Sequence, residues 1–231
     1  DKPALAKYNL EDCKLVWDIF EKTELIQFAI ERATLTGLPL DKVGGSVAAF
    51  ENQYLPRLHR QGYVAPNLPV NPQGVGSPGG YVMSSEPGLY DHVLVLDFKS
   101  LYPSIIRSFL IDPYGLAEGD KLKLNHPDYD IDVLAQGFLG AFFKKQDSIL
   151  PGLIENLWQA RDKAKRANKP VLSQAIKIIM NSFYGVMGTP GCRFFDPRLP
   201  SSITLRGHEI MNTTRQLIEQ QGYQVIYGDT D

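Results

Sequence analysis

Two apolar runs that end in aspartates constrain the fold of this chain most. The first, HVLVLDF at residues 92–98, has the continuous apolar character of a β-strand that is covered on both faces. The second, YQVIYGDTD at residues 223–231, is rich in aromatic and β-branched residues and predicts another strand. A carboxylate beside buried apolar surface loses hydration that only a partner can replace. We therefore predict a cation where these strands end.

The three aspartates of these runs are Asp97, Asp229 and Asp231. Side by side they would repel one another unless a divalent metal neutralised them. Magnesium suits such a place because it takes carboxylate oxygens, retains waters and completes its shell with substrate phosphates. The pattern predicts a two-metal site for phosphoryl transfer. A DxD pair alone is more often a turn or a helix cap, so the prediction needs support from the rest of the chain.

Helical patterns occupy much of the remaining sequence. Residues 9–36 have apolar positions at helical intervals up to Gly37. A helical hairpin is predicted further on, with one helix beginning at Pro151 and a second, VLSQAIKIIMNSFYG, beginning near Pro170. A third helix is predicted over residues 202–221.

The hairpin helices each carry a polar row. Lys177, Asn181 and Tyr184 follow one another at i, i+4 and i+7, opposite the apolar stripe, and Arg161 and Lys165 share a face of the first helix. An ammonium, an amide and a phenol in one row can hold a phosphate and a flat ring. On an isolated helix, such a row is more often simply the solvated face.

Composition narrows the class of protein. The 231 residues are 43% hydrophobic, which is enough for a proper core. Because the chain has neither a run of eighteen apolar residues nor a signal-peptide pattern at DKPALAKYNL, we expect a cytoplasmic protein without a membrane partner. Cys13 and Cys192 are isolated and are predicted to be core thiols. The acidic stretch at residues 116–132 predicts a surface excursion, and residues 56–87, rich in Pro and Gly, predict a long connection.

Three motifs, in order, resemble those of the B-family DNA polymerases. DFKSLYPS at residues 97–104 is similar to the family's DxxSLYPS, KIIMNSFYG at residues 177–185 to KxxxNSxYG, and YGDTD at residues 227–231 to YGDTDS. Shorter passages, among them YNLEDC, GGSVAAF and CRFFDPRL, resemble one bacterial group of this family. The likeness therefore extends over nearly the whole chain.

The resemblance implies a mixed α and β fold. It would combine a polymerase palm, whose antiparallel sheet carries the aspartates, with a two-helix fingers hairpin and the last helices of an RNase H-like exonuclease domain. The expected divisions are 1–50 (exonuclease end), 51–91 (connector), 92–149 (first part of the palm, with a surface insertion at 116–148), 150–186 (fingers) and 187–231 (more of the palm). The palm would be cut after YGDTD, so we expect a fragment that is inactive alone and able to self-associate through an unpaired strand edge.

The resemblance also implies roles for single residues. Asp97, Asp229, Asp231 and the backbone carbonyl of Phe98 would hold two Mg²⁺ ions, or Mn²⁺. An incoming deoxynucleotide would be bound by Ser100, Leu101, Tyr102, Arg161, Lys165, Lys177, Asn181 and Tyr184. Within this set, Tyr102 would stack beneath the sugar and exclude a 2′-hydroxyl by its bulk.

The sequence departs from the family pattern at two places, which concern DNA contact and exonuclease activity. The usual YxGG connector is SPGG here, so Gly79, Gly80 and Tyr81 remain as expected DNA contacts while the leading tyrosine is missing. Tyr8 and Asp12 resemble the last exonuclease motif, whose other carboxylates would lie before residue 1. We therefore expect no exonuclease activity from this chain.

The resemblance therefore implies a DNA-directed DNA polymerase, a nucleotidyltransferase that acts in DNA replication or DNA repair. Its partners would be primer-template DNA and deoxynucleoside triphosphates. One alternative is a noncatalytic fragment that binds nucleotide or DNA. Another is a metal-dependent nuclease, since paired carboxylates also serve phosphodiester cleavage. A nuclease has no triphosphate to hold, so the polar row on the hairpin argues against it.

Overall fold

The computed structural model describes residues 2–70, 77–126 and 133–230, and over these ranges the fold is mixed α and β with helices predominating. The helices are α1 (Lys2–Lys22), α2 (Leu25–Thr36), α3 (Ser46–Arg60), α4 (Leu101–Ser108), α5 (Pro113–Asn125), α6 (Leu150–Arg166), α7 (Pro170–Met187) and α8 (Arg198–Gln220), with a 3-10 helix at Leu40–Lys42. Strands β1 (Leu134–Gln136) and β2 (Phe142–Lys144) form an antiparallel hairpin.

Helix α7 lies at the centre of the core. It packs against α6 and also against α2, α3 and α8. Its buried Phe183 meets Phe50 of α3 edge to face, with ring centroids 5.3 Å apart, and Phe50 stacks on Tyr54 at 5.2 Å. The predicted hairpin of α6 and α7 is confirmed, as is the third helix, α8, which begins four residues earlier than predicted.

Helix α5 corrects one prediction. Residues 116–126 were expected in a surface excursion, but most of them form α5, which packs on β2 with Leu116 and Gly119 buried. Local signals support the helix, because Asp112 is an N-cap whose carboxylate accepts from the amide of Gly115 at 3.1 Å and Pro113 occupies the first turn. The rest of that stretch, residues 127–132, lies outside the described residues.

The predicted sheet of the two aspartate-bearing runs does not form among the described residues. Residues 92–98 make no strand pairing there, and Val95 is 90% exposed. The second run lies beside a different segment. Val82 and Asp229 form an antiparallel bridge, and the amide of Met83 donates to the carbonyl of Gly228 at 2.8 Å. A strand needs a neighbour to satisfy its backbone groups, and the described chain supplies none to residues 92–98.

The first two helices differ from the single helical stretch predicted for residues 9–36. The helix breaks at Glu24, which has a positive φ of 54°, and α2 ends at Gly37 as expected. No residue of α1 is buried, so Cys13 is exposed rather than a core thiol. Cys192 is buried, as predicted, and burial raises the pKa of its thiol to about 11. Within the described ranges, no helix has the length and apolar character needed to cross a membrane.

Candidate functional site

The candidate site surrounds the start of α4. Ser100 precedes this helix with a positive φ of 51°, so the chain turns sharply into α4. The first-turn amides of a helix have no partner within the helix, and together with the helix dipole they favour an anion. Arg161 of α6 reaches the same place, where its Nη1 donates to Ser100 Oγ at 3.3 Å. The start of α4 therefore combines free amide donors with a guanidinium.

Helices α6 and α4 are further joined at Trp158. Lys99 and Arg107 lie over the ring of this half-buried side chain, at 5.1 and 4.9 Å from the centroid. Lys99 also lies 3.8 Å from Asp162, and Arg107 is paired with Glu155. These contacts fix α4 against the face of α6 that presents Arg161.

The polar row predicted on α7 faces solvent. Lys177 and Asn181 are exposed, and Tyr184 is half-buried. On α6, Lys165 is exposed and Arg161 is partly buried. Neither Lys165 nor Lys177 forms an ion pair with another described residue. Two uncompensated ammonium groups are thus available to an anionic ligand.

Tyr102 and Tyr184 bring two of the three motifs together. Their ring centroids are 4.8 Å apart, with the planes tilted by 49°. Burial raises the pKa of the Tyr184 phenol, a hydrogen bond with Ser77 opposes the shift, and the neighbouring Tyr102 adds to it. The phenol of Tyr184 therefore keeps its proton at neutral pH, and its ring packs beside that of Tyr102.

Thr230 adds the third motif to this group. Its Oγ1 accepts a hydrogen bond from the amide of Tyr81 at 2.7 Å and lies 3.4 Å from the hydroxyl of Tyr102. A Cβ at Gly80 would come within 2.7 Å of the same Oγ1, so only glycine fits there without a shift. The sequence did not predict this role for Thr230. It depends on contacts between residues more than a hundred positions apart, for which the local sequence has no signal.

The connector residues Gly79 and Tyr81 are also held by α8. The hydroxyl of Tyr81 donates to Asn212 Oδ1 at 2.8 Å, and its ring centroid lies 5.4 Å from that of His208. His208 Nε2 is 3.0 Å from the carbonyl oxygen of Gly79. Sequence reasoning missed both α8 residues, which fix the connector next to Thr230.

The predicted carboxylate cluster stays a prediction. Asp97 is exposed in the unpaired segment, Asp229 is half-buried and accepts a hydrogen bond from the hydroxyl of Tyr227, and Asp231 lies outside the described residues. Across the described ranges, no three His, Cys, Asp or Glu side chains are grouped so that they could hold a metal ion. The donors themselves, carboxylate oxygens and the carbonyl of Phe98, are the type that Mg²⁺ and Mn²⁺ prefer.

The two residues assigned to an exonuclease remnant lie apart from this site. Tyr8 and Asp12 are on α1, and both are exposed. Helix α1 has no buried residue and packs against α2.

Comparison with known proteins identifies the family. The family model "DNA polymerase family B" matches residues 43–231. The chain is 63% identical to DNA polymerase II of Escherichia coli (strain K12) over 231 residues, which cover 100% of this chain and 29% of that protein. It is 31% identical to DNA polymerase 1 of Pyrococcus abyssi (strain GE5 / Orsay) over 245 residues, covering 98% of this chain and 30% of that protein.

A solved structure agrees with the sequence comparisons. The family B DNA polymerase from the hyperthermophilic archaeon Pyrobaculum calidifontis superposes with a TM-score of 0.73 at 27% identity, covering 100% of this chain and 31% of that one. The chain therefore belongs to DNA polymerase family B, which confirms the resemblance in its motifs. It spans less than a third of the length of these relatives.

Proposed function

We propose that this chain is part of a template-directed DNA polymerase, which transfers deoxynucleotides to the 3′ end of a primer. The observation that carries the proposal is the convergence of Arg161, Tyr102 and Tyr184 at the start of α4. Three separate elements thereby present a cation, free amides and two aromatic rings to one place. The partners would be primer-template DNA and deoxynucleoside triphosphates, and the process DNA replication or DNA repair.

The phosphates of the nucleotide would be bound between the hairpin and α4. Arg161, Lys165 and Lys177 supply positive charge, and the amides of Ser100 and Leu101 supply donors at the helix start. Arg161 is already oriented by Ser100, so little conformational freedom is lost when it binds. Asn181, one turn after Lys177, would help to position the same group.

The sugar and base would lie against the aromatic pair. Tyr102 would stack beneath the sugar and exclude a 2′-hydroxyl, and Tyr184 would lie near the nascent base pair. The hydroxyl of Tyr102 lies 3.4 Å from Thr230 Oγ1 and its ring packs against that of Tyr184, so two contacts help to orient the ring. Exclusion by bulk requires such a fixed ring.

Two metal ions are part of the proposal, because the predicted ligands are all oxygen donors. Asp97, Asp229, Asp231 and the carbonyl of Phe98 would hold two Mg²⁺ or Mn²⁺ ions, which when bound would activate the primer hydroxyl and neutralise charge on the departing pyrophosphate. Residues 92–98 would need to lie beside the run that ends at YGDTD. In the described chain that run instead pairs with residues 82–86. We therefore propose that the 231-residue chain alone does not extend primers.

DNA would be contacted by the connector. Gly79 has open space where a side chain would begin, so a phosphate backbone could approach its amide closely. Gly80 and Tyr81 would be held in place by Thr230 and Asn212. The connector would thus act as a fixed edge beside the nucleotide site.

Calorimetric titration of the purified chain with a deoxynucleoside triphosphate tests the nucleotide site. Replacing Lys177 with Ala should weaken binding about tenfold or more, because a charge-assisted hydrogen bond contributes about 1.5–3 kcal/mol. Lys163→Ala is the matched control. It removes another exposed lysine, from the neighbouring helix and outside the polar row, and should leave the affinity within about twofold. Equal losses in both variants, or no binding by the unaltered chain, would refute the site.

The alternative of a noncatalytic nucleotide-binding fragment is favoured by one observation: residues 92–98, which include Asp97, are unpaired and exposed among the described residues. Primer extension with Mg²⁺ and all four deoxynucleotides separates the two readings for this chain. Binding without extension agrees with a fragment that needs more of the palm. Measured extension would show that the 231 residues assemble a complete catalytic site.

A further inference from the structure

Asp112 is a fully buried carboxylate whose partners are all neutral. Its Oδ1 accepts from the hydroxyl of Tyr54 at 2.7 Å and the amide of Leu150 at 3.0 Å. Its Oδ2 accepts from the amides of Gly115 and Ile149, each at 3.1 Å. It forms no ion pair with a described residue. A buried charge is costly unless it is hydrogen-bonded, and here burial raises the pKa of the Asp112 carboxyl while the four hydrogen bonds oppose that shift.

These donors come from three different elements. Gly115 belongs to the first turn of α5, and this bond is the ordinary contact of an N-cap. The other three bonds join Asp112 to groups outside α5. Two of them satisfy amides at the start of α6, whose own N-cap residue, Ile149, has no side-chain acceptor. The fourth joins Tyr54 of α3, whose hydroxyl also accepts from the amide of Tyr114 at 3.0 Å.

Helix α6 connects this junction to the candidate site. Arg161 lies about three turns beyond Leu150 on the same continuous helix. A change in the position of the first turn would therefore be transmitted along the helix to the guanidinium. The bond from Arg161 to Ser100 is already 3.3 Å long, so a displacement of a few tenths of an ångström would break it.

We propose that Asp112 is a positioning residue for nucleotide binding, because its carboxylate fixes the start of α6 to α3 and α5 and so holds Arg161 at the start of α4. The inference rests on the proposed nucleotide site. Tyr54 takes part as the donor from α3. Burial raises the pKa of its phenol, so the hydroxyl keeps the proton that it donates.

Two substitutions at residue 112 distinguish its capping of α5 from its contacts with the amides of α6. Asp112→Asn keeps the shape but turns an amide group toward two donors that need an acceptor. Asp112→Ser retains a side chain that can cap α5, but it is too short to reach the amides of α6. Tyr54→Phe removes one donor to Asp112 and the acceptor of the Tyr114 amide, but it leaves the three backbone donors to Asp112 in place, so it should fold even if the other two do not.

Arg198→Gln is the matched control. The guanidinium of Arg198 joins the middle of α5 to the start of α8 through two bonds to Asp120, at 3.0 and 2.8 Å. Its loss should lower stability without disturbing the start of α6. Circular dichroism and thermal unfolding monitor folding of every variant, and calorimetry measures affinity for a deoxynucleoside triphosphate well below each melting temperature.

We expect both Asp112 variants to bind nucleotide about tenfold more weakly and Tyr54→Phe about threefold more weakly. Arg198→Gln should melt earlier yet bind within about twofold of the unaltered chain. Hydrogen exchange should accelerate at the first turn of α6 in the Asp112 variants and not in Arg198→Gln.

Unchanged affinity in the folded Asp112 variants, or an equal loss in Arg198→Gln, would overturn the inference and leave Asp112 a purely stabilising residue. If the Asp112 variants do not fold, unchanged affinity in Tyr54→Phe overturns it instead. If the unaltered chain binds no nucleotide, the proposed function fails. In that case hydrogen exchange tests the anchoring role of Asp112 by itself. An unchanged exchange rate at the start of α6 in the Asp112 variants would reject that role.

Discussion

The hairpin of α6 and α7 and the segment at residues 92–98 are both strongly apolar, yet only the hairpin is buried. In α7, Ile176 and Phe183 are fully enclosed, whereas Val95 is 90% exposed. A helix satisfies its backbone internally and needs neighbours on one face only, but a strand needs partners for its backbone and, when it is apolar on both sides, cover for both faces. The difference shows that apolar content decides burial only when the rest of the described chain supplies a matching surface.

Hydrogen exchange should give the largest contrast between the two regions. Amides of α7 should exchange at least about a thousandfold more slowly than those of residues 93–97, because core helices open only with much of the fold. Helix α1, which is helical but has no buried residue, provides a control and should exchange at an intermediate rate. Slow exchange at residues 93–97 that develops only at high protein concentration would indicate self-association through that segment.

Truncating a side chain should also lower the free energy of unfolding by very different amounts in the hairpin and in residues 92–98. Phe183→Ala should lower the free energy of unfolding by about 3–5 kcal/mol, because it leaves a cavity beside Phe50. Leu96→Ala, at a side chain that is 77% exposed, should change it by less than about 0.5 kcal/mol. Urea unfolding measures both. A cost above about 1 kcal/mol for the second variant, more than a surface substitution causes, would mean that residues 92–98 are covered in solution.

A pair of glycines in the connector sharpens the comparison at the candidate site. Gly80→Ala should destabilise the chain by about 1–3 kcal/mol, because its Cβ would press against Thr230. Gly79→Ala meets no atom within 4 Å and should be nearly neutral. Thermal unfolding compares the two variants. Equal effects would show that Thr230 does not hold the connector.

The smallest effect should come from alkaline pH acting on Cys192. The unfolded thiol ionises near its ordinary pKa of 9.0 and the folded thiol near 11, since burial raises the pKa. The unfolded state therefore loses its proton first, so the stability from this group is complete below pH 9 and declines as the pH rises toward 11.

Stability measured between these pH values should fall less steeply in Cys192→Ala than in the unaltered chain. Cys13→Ala, at an exposed cysteine, is the control and should leave the slope unchanged. Identical slopes in all three proteins would mean that the Cys192 thiol ionises as readily in the folded chain as in the unfolded one.

Helix periodicity predicted α6, α7 and α8 because the pattern that forms a helix also selects its buried face. The same periodicity placed Lys177 and Asn181 on the exposed side of α7. Helix α5 escaped prediction because its stripe is interrupted by glycines, although Asp112 and Pro113 marked its start. The family motifs implied that Tyr102 and Tyr184 belong to one nucleotide site but not that they touch, and the described geometry adds their 4.8 Å contact.

The remaining features depend on contacts that local sequence does not encode. Thr230 meets Tyr81 across 149 positions, and Tyr81 meets Asn212 across 131. The strand at residues 92–98 was a reasonable prediction from its apolar run, but sheet formation requires a second segment in register. The clustering of the three aspartates depends on the same missing pairing and stays a prediction.

The position of Trp158 gives the molecule an optical property. The chain contains two tryptophans, and the other, Trp17, is 62% exposed on α1. An indole in contact with solvent emits at longer wavelength and is quenched readily by the neutral quencher acrylamide, whereas the indole of Trp158 is half-buried, with Lys99 and Arg107 over its ring. The tryptophan emission that remains in the presence of the quencher therefore comes mainly from Trp158. It reports on the contact between α4 and α6 without any added dye.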